Sequence, residues 1–253
     1  MQSPDTLPNV RTVELTAPLR WLSEAWGDLG KVLFPCLTYG CVLALFSTFL
    51  VYAMVASNLA FWVWALICGF VFVAPILAMG LYEAGRLIER GIRPKLSDII
   101  FVRSAFRQDL AYLGLALLII FLVWGGIAQI VYGLSTHRLH KTLPEFVVFA
   151  IGTPEGHVML VVGSIVGGPI AFLAYCLVVV SAPMLLDRQN DVFVATVTSV
   201  RAVVRNPAPM ILWAALLAGI TFATALTGFL ALTFVFPWLG LASWRAYRDL
   251  VSG

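Results

Sequence analysis

Charge is missing from most of this sequence. Asp, Glu, Lys and Arg make up 11% of it, where an ordinary soluble domain carries about a quarter. From Val32 to Tyr82 there is no charged residue. The three histidines, His137, His140 and His157, lie in or beside a single polar stretch. The four cysteines (Cys36, Cys41, Cys68 and Cys176) are scattered through apolar runs with no CxxC pair. They read as small buried side chains, not as a disulfide framework. No Walker loop, HExxH, nucleophile elbow or dinucleotide fingerprint occurs. A net charge of +3 gives a nucleic-acid reading nothing to stand on. The opening stretch, MQSPDTLPNVRTVELTAP, lacks the apolar core of a signal peptide.

What is present is apolar. Hydrophobic residues make up 61% of the chain, the mean hydropathy is +0.95, and the excess sits in long uninterrupted runs. These runs do not alternate apolar and polar as barrel strands would. The fold class is therefore all-α: a polytopic transmembrane helical bundle.

Residues 1–15 are polar and carry Pro4 and Pro8, and are expected to be flexible; residues 16–253 form one six-helix transmembrane domain. Thr16 and Pro18 mark the start of an amphipathic helix, with Leu19, Leu22, Trp26 and Leu29 on one face. Lys31 to Tyr82 would measure about 78 Å as one helix, against a hydrocarbon core of about 30 Å. It must fold back, and Ser57-Asn58 near its middle marks the turn. The spacing predicts spans over about 31–55, 59–82, 110–134, 157–186, 209–226 and 229–246, with an outer loop over 135–156. The last two spans divide near Thr227-Gly228. Within the outer loop, Leu143-Pro144-Glu145 and Thr153-Pro154-Glu155 read as two helix starts.

Three hairpins emerge, each preceded by an amphipathic interfacial segment. These segments end in Asp28, Asp109 and Asn206. The second runs from Ser97 to Gln108, and the third from Asp191 to Arg205. In the third, Phe193, Val197, Val200 and Val204 form one stripe, with Thr198, Arg201 and Arg205 expected opposite. The second helix of each pair nears its end through a proline: Pro75, Pro183 and Pro237. Of the 16 Lys and Arg residues, all but Arg138 and Lys141 fall on the side of the termini. By the positive-inside rule both termini are cytoplasmic.

Candidate site residues are few. His137 and His140 sit one helical turn apart, a spacing that can chelate a metal. His157 with Glu145 or Glu155 could complete such a site. The loop shows no further ligand pattern, so the reading is no metal and no cofactor. Gly163, Gly167, Gly168 and Pro169 give one span a small-residue face and an expected kink. Glu83, Arg86, Asp187, Arg188, Arg245, Arg248 and Asp249 follow the proline-bearing ends and could form a cytoplasmic collar of ion pairs. No proposed span holds an Asp, Glu, Lys, Arg or His away from its ends, which disfavours proton relays and ion-coupled transport.

Three stretches carry a resemblance: Leu77-Ala-Met-Gly-Leu-Tyr-Glu-Ala-Gly-Arg86; Thr153-Pro-Glu-Gly156 with Ala182-Pro-Met-Leu-Leu-Asp-Arg188; and Phe236-Pro-Trp-Leu-Gly-Leu-Ala-Ser-Trp-Arg-Ala-Tyr-Arg-Asp-Leu250. Together they resemble a bacterial inner-membrane family of unknown function, some of whose relatives are labelled putative cytochrome c oxidase subunits. Where that pattern carries a His, this chain has Leu241. A catalytic oxidase subunit needs several intramembrane histidines for haem and copper, and no span here has one in its interior. The expectation is a non-enzymatic accessory, assembly or regulatory subunit of a larger membrane complex, with a respiratory complex as one candidate. The alternative is a carrier or channel for a small or lipidic substrate; a membrane enzyme ranks third. The partners implied are membrane lipids and other integral membrane subunits, with no nucleic acid and no soluble substrate.

Overall fold

The computed structural model describes residues 7–102, 108–140, 142–188 and 191–252. Among them are twelve α-helices. Runs without polar side chains satisfy their backbone groups internally only as helices. The first amphipathic helix, α1 (Ala17–Lys31), leads into α2 (Leu33–Ala56). The chain turns at Ser57–Leu59, where Asn58 takes φ 56°, a left-handed conformation that Asn tolerates better than most residues. Then come α3 (Ala60–Leu77) and α4 (Met79–Glu89). The Tyr39 hydroxyl donates to the Leu77 carbonyl at 2.6 Å, so the start of α2 lies beside the end of α3.

A short α5 (Leu96–Ile100) precedes α6 (Gln108–Ser135). Of the amphipathic segment expected over 97–108, residues 97–100 are helical in α5, whose N-cap position is Lys95 and not Ser97, the Lys95 N–H donating to the Asp98 carboxylate at 2.9 Å; residues 103–107 lie outside the described residues. Both helix starts expected in the outer loop are present. They are α7 (Leu143–Gly152), with a reciprocal Thr142–Glu145 cap, and α8 (Pro154–Val178), where the Thr153 hydroxyl accepts from the Gly156 N–H at 3.0 Å. After α8 follow α9 (Ser181–Asp187), α10 (Val192–Arg205), α11 (Pro207–Ala223), a 3₁₀ turn (Thr224–Thr227) and α12 (Leu232–Leu250).

The three prolines behave differently from one another. Pro75 lies near the end of α3, just before the interruption at Ala78. Pro183 lies in the first turn of α9, after the interruption at Val179–Val180, where a missing N–H costs nothing. Pro237 lies within an unbroken α12. Pro169 likewise lies inside α8, which continues to Val178, so the interruption falls ten residues past the expected kink. There the Val180 N–H donates to the Ser199 hydroxyl of α10 at 3.1 Å. A fully buried side chain from α10 thus covers the break.

Four helical stretches are long and apolar enough to cross a membrane: Leu33–Ala56, Gln108–Ser135, Pro154–Asp187 and Pro207–Thr227. α3 and the apolar part of α12 are shorter. α12 lies along α1 and α2. Thr48 donates to the Gly228 carbonyl at 2.8 Å, Gly40 meets Thr233 and Pro237, and Asp28 meets Arg245. One end of the molecule therefore holds α1, α4, α9 and the end of α12.

The core is concentrated at that end. Trp21, Trp213, Trp244, Tyr247, Met184, Met210, Leu241 and Leu250 are fully buried there. A smaller aromatic cluster of Tyr132, Phe146, Phe149, Ala150 and Met159, joined by Phe61 and Trp64, lies elsewhere, where α7 packs on α3 and α8. Between these clusters the apolar helices face outward. Only 11% of the most apolar stretch of α2 is buried, and 17% of those of α6 and of Pro207–Thr227.

The segment before α1 is tied down. Val10 pairs with Val251 in an antiparallel bridge. The Arg11 N–H donates to the Leu250 carbonyl at 2.8 Å, and the Ser252 N–H to that of Asn9 at 3.2 Å. Residues 9–13 are thus held, where the sequence suggested a flexible segment.

Candidate functional site

The last turns of α12 gather the charged groups. Their buried face carries Trp244, Tyr247 and Leu250, which fixes where Arg245, Arg248 and Asp249 project. Residues four apart share a helix face, and Arg245 and Asp249 both reach α1. Arg245 Nε donates to Asp28 Oδ2 at 2.7 Å. Asp249 accepts from Arg20 and from the Trp21 indole, the latter at 2.9 Å. Arg248 reaches the other way, to Glu89 of α4 at 3.0 Å and Asp187 of α9 at 3.5 Å.

Asp28 is the most deeply buried carboxylate of this collar, its side chain 4% exposed. It also accepts from Lys31 at 2.8 Å. Lys31 is 63% exposed and Arg245 28%, so the arginine is the partner that offsets the desolvation of Asp28. A charge this buried requires such a partner.

Beside it, the Tyr247 hydroxyl donates to Asp187 Oδ2 at 2.8 Å and accepts from Arg188 Nε at 3.0 Å. Arg188 also donates to the Ser252 carbonyl at 2.9 Å. Burial pushes the Tyr247 phenol above its ordinary pKa, and the Asp187 charge adds to this against Arg188. Tyr247 therefore remains a neutral donor.

Of the seven collar residues expected from the sequence, five meet at α12: Asp187, Arg188, Arg245, Arg248 and Asp249. Glu83 and Arg86 instead pair within α4, through two parallel hydrogen bonds of 2.8 and 2.6 Å. Sequence reasoning did not include Asp28, Glu24, Glu89 or Tyr247 in the collar. A signal existed for Asp28, a lone acid closing an apolar-faced segment three residues before Lys31. The other two segment-closing residues also make cross-chain contacts. Asp109 accepts from the Val192 N–H at 3.3 Å. Asn206, 3% exposed, accepts from the Val13 N–H at 2.8 Å and donates to the Arg11 carbonyl at 3.0 Å.

The three histidines have different surroundings. His140 stacks on Phe149 with ring centres 4.3 Å apart, its Nδ1 lies 3.1 Å from the Tyr132 hydroxyl, and its N–H donates to that hydroxyl. His157 bonds the Ile151 carbonyl at 2.9 Å, and His137 is exposed. Among the described residues no three His, Cys, Asp or Glu side chains are grouped to hold a metal ion.

Gly167 packs directly on the Trp124 ring of α6, whose indole reaches toward the Ala65 carbonyl of α3 at 3.5 Å. A Cβ at Gly163 or Gly168 would meet nothing within 4 Å. Along α2 runs a shallow, open apolar trough lined by Leu33, Phe34, Leu37, Cys41, Val42 and Thr233.

These features define an integral membrane protein: long apolar helices closed at one end by an ion-paired collar. Residues 62–187, just under half of the chain, match the family described as "Predicted integral membrane protein (DUF2189)". The matched region runs from α3 through α9 and includes Glu83, Arg86 and Asp187. Searches of curated proteins and of solved structures find no match.

Proposed function

We propose that this chain is a non-enzymatic subunit of a bacterial inner membrane that assembles with, or regulates, a larger membrane complex. In this reading the chain crosses six times as three hairpins with both termini cytoplasmic. The four long helices are joined by α3 (about 27 Å) and by α12, which packs on α2 at Gly40, the turn before it reaching Thr48. The gathering of both chain ends at the arginine-rich collar supports that orientation.

One face of α6 carries the functional reading. Leu122, Gly126, Gln129 and Gly133 recur at helical spacing and all point outward. A Cβ at Gly126 or Gly133 would meet nothing within 4 Å, so another helix can approach closely there. Gln129 places an amide on the same face, inside an apolar helix. In hydrocarbon such a group gains from an interhelical hydrogen bond, and small residues are what let a partner come near enough to supply it.

The test is purification of the tagged chain from native membranes in mild detergent. A stoichiometric integral-membrane partner is expected, retained by wild type and lost on Gly126→Leu or Gln129→Leu. Both substitutions lie on an open surface and leave the isolated chain's melting temperature unchanged. A monomer from native membranes, or a partner indifferent to both substitutions, would overturn the reading.

A further inference from the structure

Some arginines of the collar side are paired with carboxylates and others are not. Arg20, Arg86, Arg245 and Arg248 lie within 4 Å of a carboxylate, as does Lys31. Arg11, Arg201 and Arg205, like Arg90 and Arg93 elsewhere, make no ion pair among the described residues, and all are exposed. Asn206 brings two of them together, because the residue next to Arg205 holds the Arg11 carbonyl through its amide. The carboxylates nearest in sequence do not serve them. Asp191 caps α10 by accepting from the Phe193 N–H, and Glu14 forms no ion pair among the described residues.

The face of α10 beside these arginines is apolar and open. Phe193 is 77% exposed and Val204 73%, with Val197 between them at 45%. Ala195, Thr198, Ser199 and Ala202 cover the opposite, fully buried face. Arg201 and Arg205 stand one turn apart, on one flank of the apolar stripe. An apolar stripe flanked by guanidinium groups is the arrangement that lies at the boundary of acyl chains and headgroups. A soluble anion would need the arginines and not the stripe.

We propose that the outer face of α10, with Arg11, is a docking surface for an anionic phospholipid in the leaflet on the side of the chain termini. Its phosphate is held by Arg201 and Arg205, and its acyl chains lie against Phe193, Val197 and Val204. This inference does not depend on a partner subunit.

The full chain, stripped of lipid in neutral detergent, is titrated with phosphatidylglycerol, with phosphatidylcholine and with inorganic phosphate, and bound lipid is read by native mass spectrometry. Phosphatidylglycerol should bind in preference to phosphatidylcholine, and millimolar phosphate should not displace it. Each arginine replaced by glutamine should weaken phosphatidylglycerol binding about fivefold, measured on Arg201→Gln and Arg205→Gln singly and together. Arg201→Lys with Arg205→Lys should keep most of the affinity, and Arg138→Gln, in the outer loop, all of it. Phe193→Ala should also weaken binding. Equal binding of the two lipids, full affinity in the double glutamine variant, or displacement by inorganic phosphate would each overturn the proposal. The single variants and the lysine pair decide the matter should the double glutamine variant misfold.

Discussion

Replacing Asp28 with asparagine tests whether the collar holds the helices together. The substitution keeps the shape and removes the charge that faces Arg245 at 2.7 Å and Lys31 at 2.8 Å. Breaking a buried ion pair by removing one partner costs about 3–5 kcal/mol. Arg245 keeps Glu24 at 3.8 Å and is 28% exposed, so water and a second carboxylate reduce the penalty. Lys31, largely in solvent, adds at most about 1 kcal/mol. The expected loss for Asp28→Asn is therefore about 2–3 kcal/mol. Arg245→Gln should cost about 2 kcal/mol, since Asp28 is then left to Lys31. The double variant should be more stable than the sum of the two losses implies, by at least about 1 kcal/mol. Unfolding by SDS in mixed micelles, followed by tryptophan fluorescence, measures all four proteins, and the buried Trp21 and Trp244 supply the signal. An Asp28→Asn loss below about 0.5 kcal/mol, or losses that add within about 0.5 kcal/mol, would refute the reasoning.

Gly167→Leu should destabilise by about 1–3 kcal/mol through overpacking on Trp124, whereas Gly163→Leu should be nearly neutral in the same unfolding assay; equal effects would contradict the packing described. Asn206→Ala removes three hydrogen bonds and should cost about 1–3 kcal/mol. Amide exchange at Val13 should rise above that of wild type, and unchanged protection would show that the segment is held by other means. For orientation, a cysteine at position 140 should label in intact cells, and one at position 92 only after permeabilisation. The reverse pattern would invert the proposed topology.

The helices were legible because an apolar run longer than one membrane thickness has few alternatives. Two turns were legible as well. Asn58 and Gly228 are residues that accept positive φ, and both do so, at 56° and 60°. The Thr142 and Thr153 starts follow from local chemistry. The interruptions at Ala78 and Val179–Val180 were not legible, because tertiary contacts decide them. Just past Ala78, Gly80 lies against the Ile99 backbone, and Ser199 caps the open Val180 N–H. A proline only permits a break, and Pro169 and Pro237 permit it without one occurring in their helices. The collar was legible as a set of charges but not as a set of pairs. Nothing local in a single sequence joins Asp28 to Arg245 or Asn206 to Arg11. Sequence order suggested grouping Glu83 and Arg86 with the later charges, but the helical repeat lets them satisfy each other.

The Asp28–Arg245 pair joins residues 217 positions apart, and this sets an order of events during synthesis. At about 5–20 residues per second, α1 waits about 10–40 s for its partner helix to be made. Through that interval Asp28 has only Lys31 beside it, and the surface of α1 that will cover Trp213 and Trp238 is bare. The first helix of the chain is therefore among the last to find its place. Loss of the final nine residues would remove Arg245, Tyr247, Arg248 and Asp249 together. A protein cut there keeps the Asn206 bonds to Arg11 and Val13 but leaves the buried Asp28 with Lys31 as its one ion-pair partner among the described residues.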